Sequence, residues 1–229
     1  MSSRLYKKLP LSMQNDAVYR YCDILSNKKL SLAIKRFLDI IVSFIALIVL
    51  LIPFAVIAVF IAADSRGGVF FIQRRVGRYD KDLGIIKFRT MVSNAAELGG
   101  QLTGGSSDPR ITRVGSFLRK YRIDELPQII NVLFGSMSII GPRPEVRRFV
   151  SRYDDRQMAT LLVRPGISCS SSVTFANEGE LLAVSDDPDK LYISEIMPKK
   201  ADMNLDYIKN ISVIADIKII LKTIKEVLR

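Results

Sequence analysis

The stretch from Ile40 to Ala63 reads IIVSFIALIVLLIPFAVIAVFIAA, and none of its 24 residues carries a charge. As a helix rising 1.5 Å per residue, it reaches about the 30 Å thickness of a bilayer's hydrocarbon core. We therefore predict a membrane-inserted helix and not a buried core helix. We expect no secretory signal peptide, because the run is too long and lacks a small-residue cleavage site behind a short basic start.

Two topologies are consistent with the residues around this run. Both flanks are basic, and Lys and Arg beside a membrane segment favour the cytoplasmic side. These residues are Arg4, Lys7, Lys8, Arg20, Lys28, Lys29, Lys35 and Arg36 before it, and Arg66, Arg74, Arg75, Arg78 and Lys81 after it. Pro53 can bend a helix, so the segment could enter the bilayer and return. A tilted span with a proline kink is equally consistent.

The overall composition excludes several classes of chemistry. The 229 residues include 34 Lys and Arg against 23 Asp and Glu, and the net charge of +11 predicts phosphate-bearing partners. The chain has no His, which removes imidazole catalysis and His-ligated metal sites. Carboxylates, Lys and Arg must then carry any reaction. Two distant cysteines, Cys22 and Cys169, fit no metal knuckle and indicate a reduced cytosolic setting.

The pattern of the remaining segments is mixed. Residues 1–30 indicate an N-terminal extension or surface helix. Two short strands are predicted within residues 67–77 and 84–91, joined by a charged turn at 79–82. The glycine-rich segment 99–109 predicts a mobile loop, a lid or a linker, and it lacks the P-loop spacing. Helical periodicity covers 111–134, with a break near Leu126 and Pro127, and a further helix is predicted over 145–162.

The C-terminal tail is strongly amphipathic. An apolar stripe lies beside a basic stripe at three- and four-residue spacing. The apolar stripe consists of Ile214, Ile217, Leu221, Ile224 and Leu228, and the basic stripe consists of Lys218, Lys222, Lys225 and Arg229. Such a helix could lie on an anionic membrane surface. It could equally pack its apolar stripe on the soluble core with its lysines in water.

Potentially catalytic groups are most concentrated between Asp108 and Glu145. Asp124 and Glu125 are adjacent, and their side chains would point about 100° apart on a helix, so each carboxylate can have a separate role. An isolated acid pair is usually a solvated surface feature, and its arginines only counter-ions. Here the pair stands among many arginines, after a membrane segment, in a chain without His. The residues alone therefore indicate a membrane-associated phosphoryl-transfer enzyme.

The order of the motifs resembles one family. These motifs are KRFLD (35–39), FIQRRVG (71–77), KFRTM (87–91), DPRITRVG (108–115), DELPQ (124–128), NV (131–132) and MSIIGPRP (137–144). They resemble the bacterial sugar transferases, specifically the monotopic polyprenyl-phosphate phosphoglycosyl transferases, from about Lys35 to the C-terminus.

The resemblance implies an α/β, mostly helical fold in three parts. Residues 1–34 would form the extension, 35–65 a re-entrant membrane helix bent at proline, and 66–229 a catalytic domain with amphipathic interfacial helices. The domain would lie at the cytoplasmic face of the bacterial inner membrane. A homodimer is a further expectation.

The resemblance also implies a ping-pong reaction. Asp124 would attack the β-phosphate of a UDP-sugar, release UMP and form a phosphosugar ester, which undecaprenyl phosphate then intercepts to begin surface glycan assembly. Glu125 would hold Mg²⁺. Arg119 and Arg143 would bind phosphate oxygens, and Lys87, Arg89 and Arg110 match motif positions expected to line the site.

Two departures from the family pattern stand out. Ile52 precedes Pro53 where relatives often have serine, so the predicted bend depends on proline alone. Relatives also often carry an arginine after the Pro165-Gly166 turn, whereas residues 175–178 contain none. This leaves the nucleotide or sugar end of the pocket unassigned. In the same region, we expect Cys169 to be a small buried residue and not a second nucleophile.

The basic residues also bear on two other functions. A non-catalytic membrane-surface binding or scaffold protein would use the basic stripes only to hold anionic lipid. Nucleic acid is not an expected partner, because the basic residues lack interleaved aromatic groups for stacking and lie beside a membrane segment.

Overall fold

The computed structural model describes residues 5–95, 98, 108–175 and 177–227, and these are mostly helical with two small sheets. This agrees with the predicted α/β, mostly helical class. The α-helices are α1 Asp16–Ser26, α2 Lys29–Asp64, α3 Arg113–Lys120, α4 Gln128–Phe134, α5 Arg147–Val150, α6 Ser170–Thr174, α7 Glu178–Ala183, α8 Pro188–Leu191, α9 Met197–Lys209 and α10 Val213–Val227.

Shorter elements connect these helices. The strands are β1 Phe70–Val76, β2 Asp82–Phe88, β3 Ser138–Ile140 and β4 Gly166–Ser168. Single 3₁₀ turns cover Leu11–Met13, Arg78–Asp80, Ile123–Glu125 and Gln157–Leu162, and a π-helical turn covers Tyr192–Ile196. β1 and β2 pair antiparallel, whereas β3 and β4 pair parallel.

Helix α2 contains the long apolar run. It begins at Lys29, earlier than the predicted Lys35, and it continues through Pro53 to Asp64. In the part of the chain that the structure describes, it is the one helix long and apolar enough to cross a membrane, and only 6% of its most apolar window is buried. Side chains in its middle, such as Val49 and Ile52, are among the most exposed in the protein. This surface therefore needs an apolar environment.

The N-terminal part of α2 is fixed to the soluble domain by polar contacts. Lys35 Nζ lies 2.5 Å from Asp216 Oδ2 in α10, and both side chains are largely buried. The Asp39 carboxylate accepts hydrogen bonds from Ser138 Oγ at 2.7 Å and from the Ile139 amide at 3.2 Å, both in β3. A buried carboxylate is stable only with such partners. These contacts therefore hold the base of α2 in one place.

The C-terminal end of α2 contacts the same domain. Arg89 donates to the carbonyls of Ser65 and Arg66, each at 2.6 Å, and to the Ile61 carbonyl at 3.4 Å. The last carbonyls of a helix have no partner within the helix, and a cation there also compensates the helix dipole. Asp64 in turn accepts the Val114 amide at 2.9 Å near the start of α3.

The β1–β2 hairpin confirms the two predicted strands. Phe70 pairs with Phe88 and Val76 with Asp82, so the register is continuous over seven residues. Tyr79 and Asp80 both have φ near +60° in the turn between them. The outer end of β1 exposes three apolar side chains, those of Phe70, Phe71 and Ile72.

Two predicted helical regions differ in detail from the structure. Residues 111–134 form α3, the 3₁₀ turn at Ile123–Glu125 and then α4, so the predicted break lies slightly before Leu126. The predicted helix over 145–162 is wrong in extent, since only Arg147–Val150 is α-helical and Gln157–Leu162 is 3₁₀. Asp154 and Gln157 exchange side-chain-to-amide hydrogen bonds, and this local pairing starts a new turn.

The N-terminal extension lies in the main core. Helix α1 buries one face containing Val18, Tyr21, Cys22 and Leu25, and these side chains belong to the same cluster as Leu162 and Ile208. Asn15 caps this helix by accepting the Val18 amide at 2.8 Å. The segment is thus a helix, as predicted, but it lies partly inside the domain.

The tail helix α10 exposes its apolar stripe. Ile214, Ile217, Leu221 and Ile224 are each more than half exposed, whereas Ile219 on the other side is buried. Packing of the stripe on the soluble core is therefore wrong for these members; Leu228 and Arg229 lie outside the described residues. The same applies to the predicted mobile loop between 99 and 107 and to Ala176 in the region without arginine.

Candidate active site

The acid pair lies in the short 3₁₀ turn between α3 and α4. Arg122 has φ +57°, a left-handed conformation that is uncommon for a residue other than glycine and that reverses the chain after α3. Asp124 follows and is buried, with 9% of its surface exposed. The two adjacent carboxylates have different surroundings, because Lys87 and Arg143 contact Glu125 and not Asp124; separate roles for the two stay a prediction.

Glu125 forms the centre of an ion-pair network. Lys87 Nζ from β2 lies 2.9 Å from Glu125 Oε1, and Arg143 Nη2 from the loop after β3 lies 3.0 Å from the same oxygen. Burial would raise the pKa of Glu125, but Arg143 and Lys87 together hold it well below its usual value. Glu125 in turn raises the pKa of Arg143. The carboxylate is therefore ionised at neutral pH.

Asp124 has a different environment. Its carboxylate has no hydrogen bond or ion pair to any residue that the structure describes. Burial raises the pKa of Asp124, and the charge of Glu125 raises it further, while Lys87, Arg119 and Arg122 act in the opposite direction. A carboxylate that lies near cations without being paired keeps its lone pairs available, which suits a nucleophile.

Arg119 lies close enough to Asp124 for their charges to interact, and Arg110 interacts in turn with Arg119. Arg119 Nε donates to Thr90 Oγ1 at 2.8 Å, and the charge of Asp124 counteracts the lowering of the Arg119 pKa by burial. Arg110 is held by Asp108 through paired contacts, Nε to Oδ1 at 2.9 Å and Nη2 to Oδ2 at 2.6 Å. Its charge also affects Arg119. Arg119 is therefore held near Asp124 and Arg110 near Arg119, while a substrate contact by Arg110 stays a prediction.

Arg89 contacts the membrane helix, not the acid pair. Its hydrogen bonds to the end of α2 use Nη1 and Nη2, and the side chain is 8% exposed. The strand β2 ends at Phe88, so the alternation that would place Arg89 beside Lys87 no longer applies. Of the five predicted substrate-binding residues, the structure brings Lys87 and Arg143 to Glu125 and Arg119 close to Asp124. A substrate contact by Arg89 remains a prediction.

Sequence reasoning assigned no role to Asn131, which positions the site. Its Oδ1 accepts the Ile86 amide at 2.9 Å, and its Nδ2 donates to the Gly84 carbonyl at 2.8 Å. These two bonds tie α4 to β2 and so fix the distance between Lys87 and the acid pair. The one feature of the sequence that pointed to Asn131 was its place in the NV motif at residues 131–132.

Glu145 was also missed as a contact residue. It accepts a hydrogen bond from the Tyr192 hydroxyl and pairs with Arg75 Nη1 at 3.4 Å. Arg143 is two residues earlier in the same loop. The loop that carries Arg143 is thus held by Glu145 from the side of β1 and the π-helical turn.

The donor atoms around the acid pair fit a magnesium ion. Mg²⁺ prefers oxygen ligands and is often bound by one or two carboxylates together with substrate phosphates. Both cations of the network contact Glu125 Oε1, which leaves Oε2 without a hydrogen bond to the described residues. Within those residues, no cluster of three or more Cys, Asp or Glu exists. The pair therefore suits a metal held jointly with a substrate.

Known proteins are similar to this sequence over most of its length. Residues 30–229 match the profile of a family described as bacterial sugar transferase. The UDP-N-acetylgalactosamine-undecaprenyl-phosphate N-acetylgalactosaminephosphotransferase of Aeromonas hydrophila is 41% identical over 198 residues, which cover 85% of this chain and 44% of that protein. The undecaprenyl-phosphate glucose phosphotransferase of Komagataeibacter xylinus is 34% identical over 197 residues, covering 83% and 35%.

A relative of similar length also matches. The exopolysaccharide production protein PSS of Rhizobium leguminosarum bv. phaseoli is 34% identical over 206 residues, covering 85% of this chain and 95% of that protein. The chain thus spans less than half of the first two relatives and nearly all of the third. The matched residues include the membrane helix, the acid pair and the helix α10. The chain belongs to the bacterial sugar transferase family.

Proposed function

We propose that this protein transfers a sugar 1-phosphate from a UDP-sugar to undecaprenyl phosphate, releases UMP and thereby initiates assembly of a surface glycan. The observation that carries the proposal is the contrast within the acid pair. Glu125 is ionised between Lys87 and Arg143, whereas Asp124 is buried beside it and forms no hydrogen bond or ion pair with the described part of the chain. The names of the relatives, which specify undecaprenyl phosphate and sugar phosphotransfer, support it.

In the first half of the reaction, an Asp124 oxygen attacks the β-phosphorus of the UDP-sugar. The bond from that phosphorus to the bridging oxygen breaks, and UMP leaves with that oxygen. The product is a phosphosugar ester on Asp124. Arg119, already fixed by Thr90, is placed to hold phosphate oxygens as charge develops on them. Arg143 and Lys87 supply further positive charge around Glu125.

In the second half, the phosphate of undecaprenyl phosphate attacks the same phosphorus. The bond to Asp124 breaks, the carboxylate is restored, and the lipid leaves carrying the sugar diphosphate. Glu125 would hold Mg²⁺, and in the first half of the reaction the metal would neutralise the diphosphate of the UDP-sugar and make UMP a better leaving group. The network around Oε1 keeps the Glu125 carboxylate ionised and oriented for that role.

We further propose that α2 is re-entrant and that the domain lies at the cytoplasmic face of the inner membrane. Both ends of α2 contact the same domain: Lys35 and Asp39 at one end, and the carbonyls bound by Arg89 at the other. Phe54, just after Pro53, packs edge-to-face on Phe88 of β2 at 5.1 Å. The most exposed part lies between these contacts, as expected for the inserted tip of a hairpin.

The surface of the domain supports the same placement. The exposed stripe of α10 and the exposed outer end of β1 would both contact lipid. Single-cysteine variants in a Cys22→Ser, Cys169→Ser background test the topology. Reagents that cannot cross the membrane should leave positions before Lys35 and after Arg66 unlabelled from the periplasm. Labelling of one of these flanks from outside would establish a spanning helix.

The reaction is tested by the variants Asp124→Asn and Glu125→Gln in detergent-purified full-length protein. Asp124→Asn should abolish exchange of radiolabelled UMP with UDP-sugar and trapping of phosphosugar on the protein. Glu125→Gln should weaken the dependence on Mg²⁺ and the rate together. Asp155→Asn, an exposed acid beside another aspartate, is the matched control and should retain activity. Full turnover by Asp124→Asn would refute the mechanism.

Two outcomes separate the enzyme from a scaffold protein. Mg²⁺-dependent release of UMP from any of a panel of UDP-sugars supports the transferase and also identifies the donor. Binding of anionic lipid that responds neither to Mg²⁺ nor to any UDP-sugar supports the scaffold. The same panel should include UDP-glucose and UDP-N-acetylgalactosamine, since the names of the relatives contain both sugars.

A further inference from the structure

Three arginines line an open cavity where the base of α2 meets the soluble domain. They are Arg36 in α2, Arg78 in the hairpin turn and Arg164 before β4, and the cavity has a volume of about 420 Å³ including its solvent-filled mouth. Each arginine is half-buried. None of them has a hydrogen bond to the acid pair within the described residues, and the transferase reaction proposed above uses none of them.

Backbone carbonyls hold these side chains in place. Arg36 donates through Nη1 and Nη2 to two of the last carbonyls of α4. Arg164 Nε donates to the carbonyl of the residue that follows α4. Arg78 Nε donates to the last carbonyl of the 3₁₀ turn at Gln157–Leu162. The acceptors are Val132 at 2.6 Å, Leu133 at 2.8 Å, Gly135 at 2.8 Å and Leu162 at 3.0 Å. Capping of α4 explains the bonds of Arg36 and the Nε of Arg164. It leaves both terminal nitrogens of Arg164 without a hydrogen bond to the described residues.

The positive charge of this cluster is balanced only in part, because Asp39 is the one acidic side chain among the residues that line the cavity, and its charge acts on Arg36. No carboxylate lies within 4 Å of any of the three guanidinium groups in the part of the chain that the structure describes. Asp39 lines the cavity, but its two oxygens already accept from Ser138 and Ile139. Burial lowers the pKa of Arg78 most; Tyr79, whose ring centre lies 4.3 Å from the Arg78 guanidinium carbon, acts in the opposite direction, and the charge of Arg164 lowers the pKa further. Three half-buried guanidinium groups against one carboxylate leave an excess of positive charge, which favours binding of an anion.

The surroundings identify the kind of anion. Leu30 and Phe37 on α2 and Phe134 at the end of α4 are strongly exposed, at 74%, 63% and 82%. The residue next to Phe134 is Gly135, over which the Arg36 guanidinium packs closely. A ligand with a phosphate and long acyl chains would satisfy both the guanidinium donors and this apolar surface.

We propose that the Arg36, Arg78 and Arg164 cavity binds the phosphodiester headgroup of a membrane phospholipid. The phosphate would accept hydrogen bonds from Arg78 and Arg164, while the acyl chains lie along the exposed side of α2. The site would fix the depth of the domain in the leaflet at the phosphate level. Because this role is separate from phosphosugar transfer, it is tested by binding and not by turnover.

The test uses full-length protein in neutral detergent with three probes at equal concentration. Dioleoylphosphatidylglycerol should raise the melting temperature and remain bound in native mass spectrometry. Dioleoylglycerol, with the same chains but no phosphate, and inorganic phosphate, with no chains, should do neither. Equal stabilisation by inorganic phosphate would overturn the assignment to a lipid. Equal stabilisation by dioleoylglycerol would show that the apolar surface alone is responsible and would also overturn it.

Paired variants locate the site. Arg78→Gln with Arg164→Gln should weaken the apparent affinity for dioleoylphosphatidylglycerol at least tenfold. Arg152→Gln with Arg156→Gln changes the net charge equally at exposed positions and should leave that affinity unchanged. If the first pair does not fold, Arg78→Lys with Arg164→Lys keeps the charge but removes the forked donors, and it should still weaken binding. Wild-type affinity in a folded variant of either pair would refute the proposal.

Discussion

Replacement of Arg89 by methionine tests whether this residue mainly clamps the membrane helix. Its motif predicts a substrate contact, whereas its guanidinium contacts the three carbonyls at the end of α2. Methionine keeps the length of a buried side chain but removes the donors. The carbonyls of Ser65 and Arg66 would then lose their charged partner.

The size of the effect follows from the two short bonds. A hydrogen bond to a charged group contributes about 1.5–3 kcal/mol, so loss of both 2.6 Å bonds should cost roughly 3–6 kcal/mol. The 3.4 Å contact to Ile61 adds little. In a protein of this size, each kcal/mol shifts the melting temperature by about 2–4 °C. The variant should therefore melt at least about 6 °C below the wild type, and Arg89→Lys should lie between the two.

The protein provides its own probe of unfolding. It has no Trp, but Cys22 and Cys169 are both buried free thiols, and burial raises the pKa of Cys22 to about 11. A thiol-reactive fluorescent dye should thus react only as the chain unfolds in detergent. Arg152→Met, at an exposed position, is the control and should melt like the wild type. If Arg89→Met melts normally but no longer releases UMP, the clamp is refuted and the substrate contact is favoured.

Three more results are expected. Gly115→Ala should lower the melting temperature by about 2–12 °C, because its Cβ would lie 2.1 Å from the Thr90 carbonyl oxygen and overpacking of this kind costs about 1–3 kcal/mol; Gly179→Ala, with nothing within 4 Å, should not. Deletion of residues 1–26 should abolish cooperative melting, since each buried apolar side chain of α1 contributes about 1.5–3 kcal/mol to the free energy of unfolding. A normal melting curve would contradict the place of these side chains in the core. The rate of UMP exchange should fall reversibly in acid, because Asp124 reacts in its ionised form. The pKa of Asp124 is raised above its ordinary value of 3.8, so the inflection should lie above pH 3.8, and an inflection below it would contradict this assignment.

The features that were predictable from the sequence depend on local patterns. An uncharged run of 24 residues can hardly be anything but a lipid-contacting helix, and the stripe of α10 is set by its own spacing. The two strands around the charged turn also follow from residues close together in the chain. The pairing of Lys87 and Arg143 with Glu125 was accessible only through the order of motifs, since these residues come from three separate elements.

Contacts between distant residues were beyond such patterns. The role of Arg89 depends on where β2 ends and where α2 passes, and neither is encoded near residue 89. In α1, Val18, Tyr21, Cys22 and Leu25 follow a helical spacing, but nothing nearby indicates that their partners lie near residue 208. The parallel pairing of β3 with β4 likewise joins segments separated by a long connection.

The ion pair between Lys35 and Asp216 has a consequence for how the chain is made. The two residues are 181 positions apart, so at 5–20 residues per second the ribosome takes roughly 10 to 40 seconds to supply the partner of Lys35. During that interval the base of α2 carries a lysine whose final site does not yet exist. The ion pair that holds the base of α2 to the soluble domain therefore cannot form until α10 has been made, and a chain released before Asp216 would lack it.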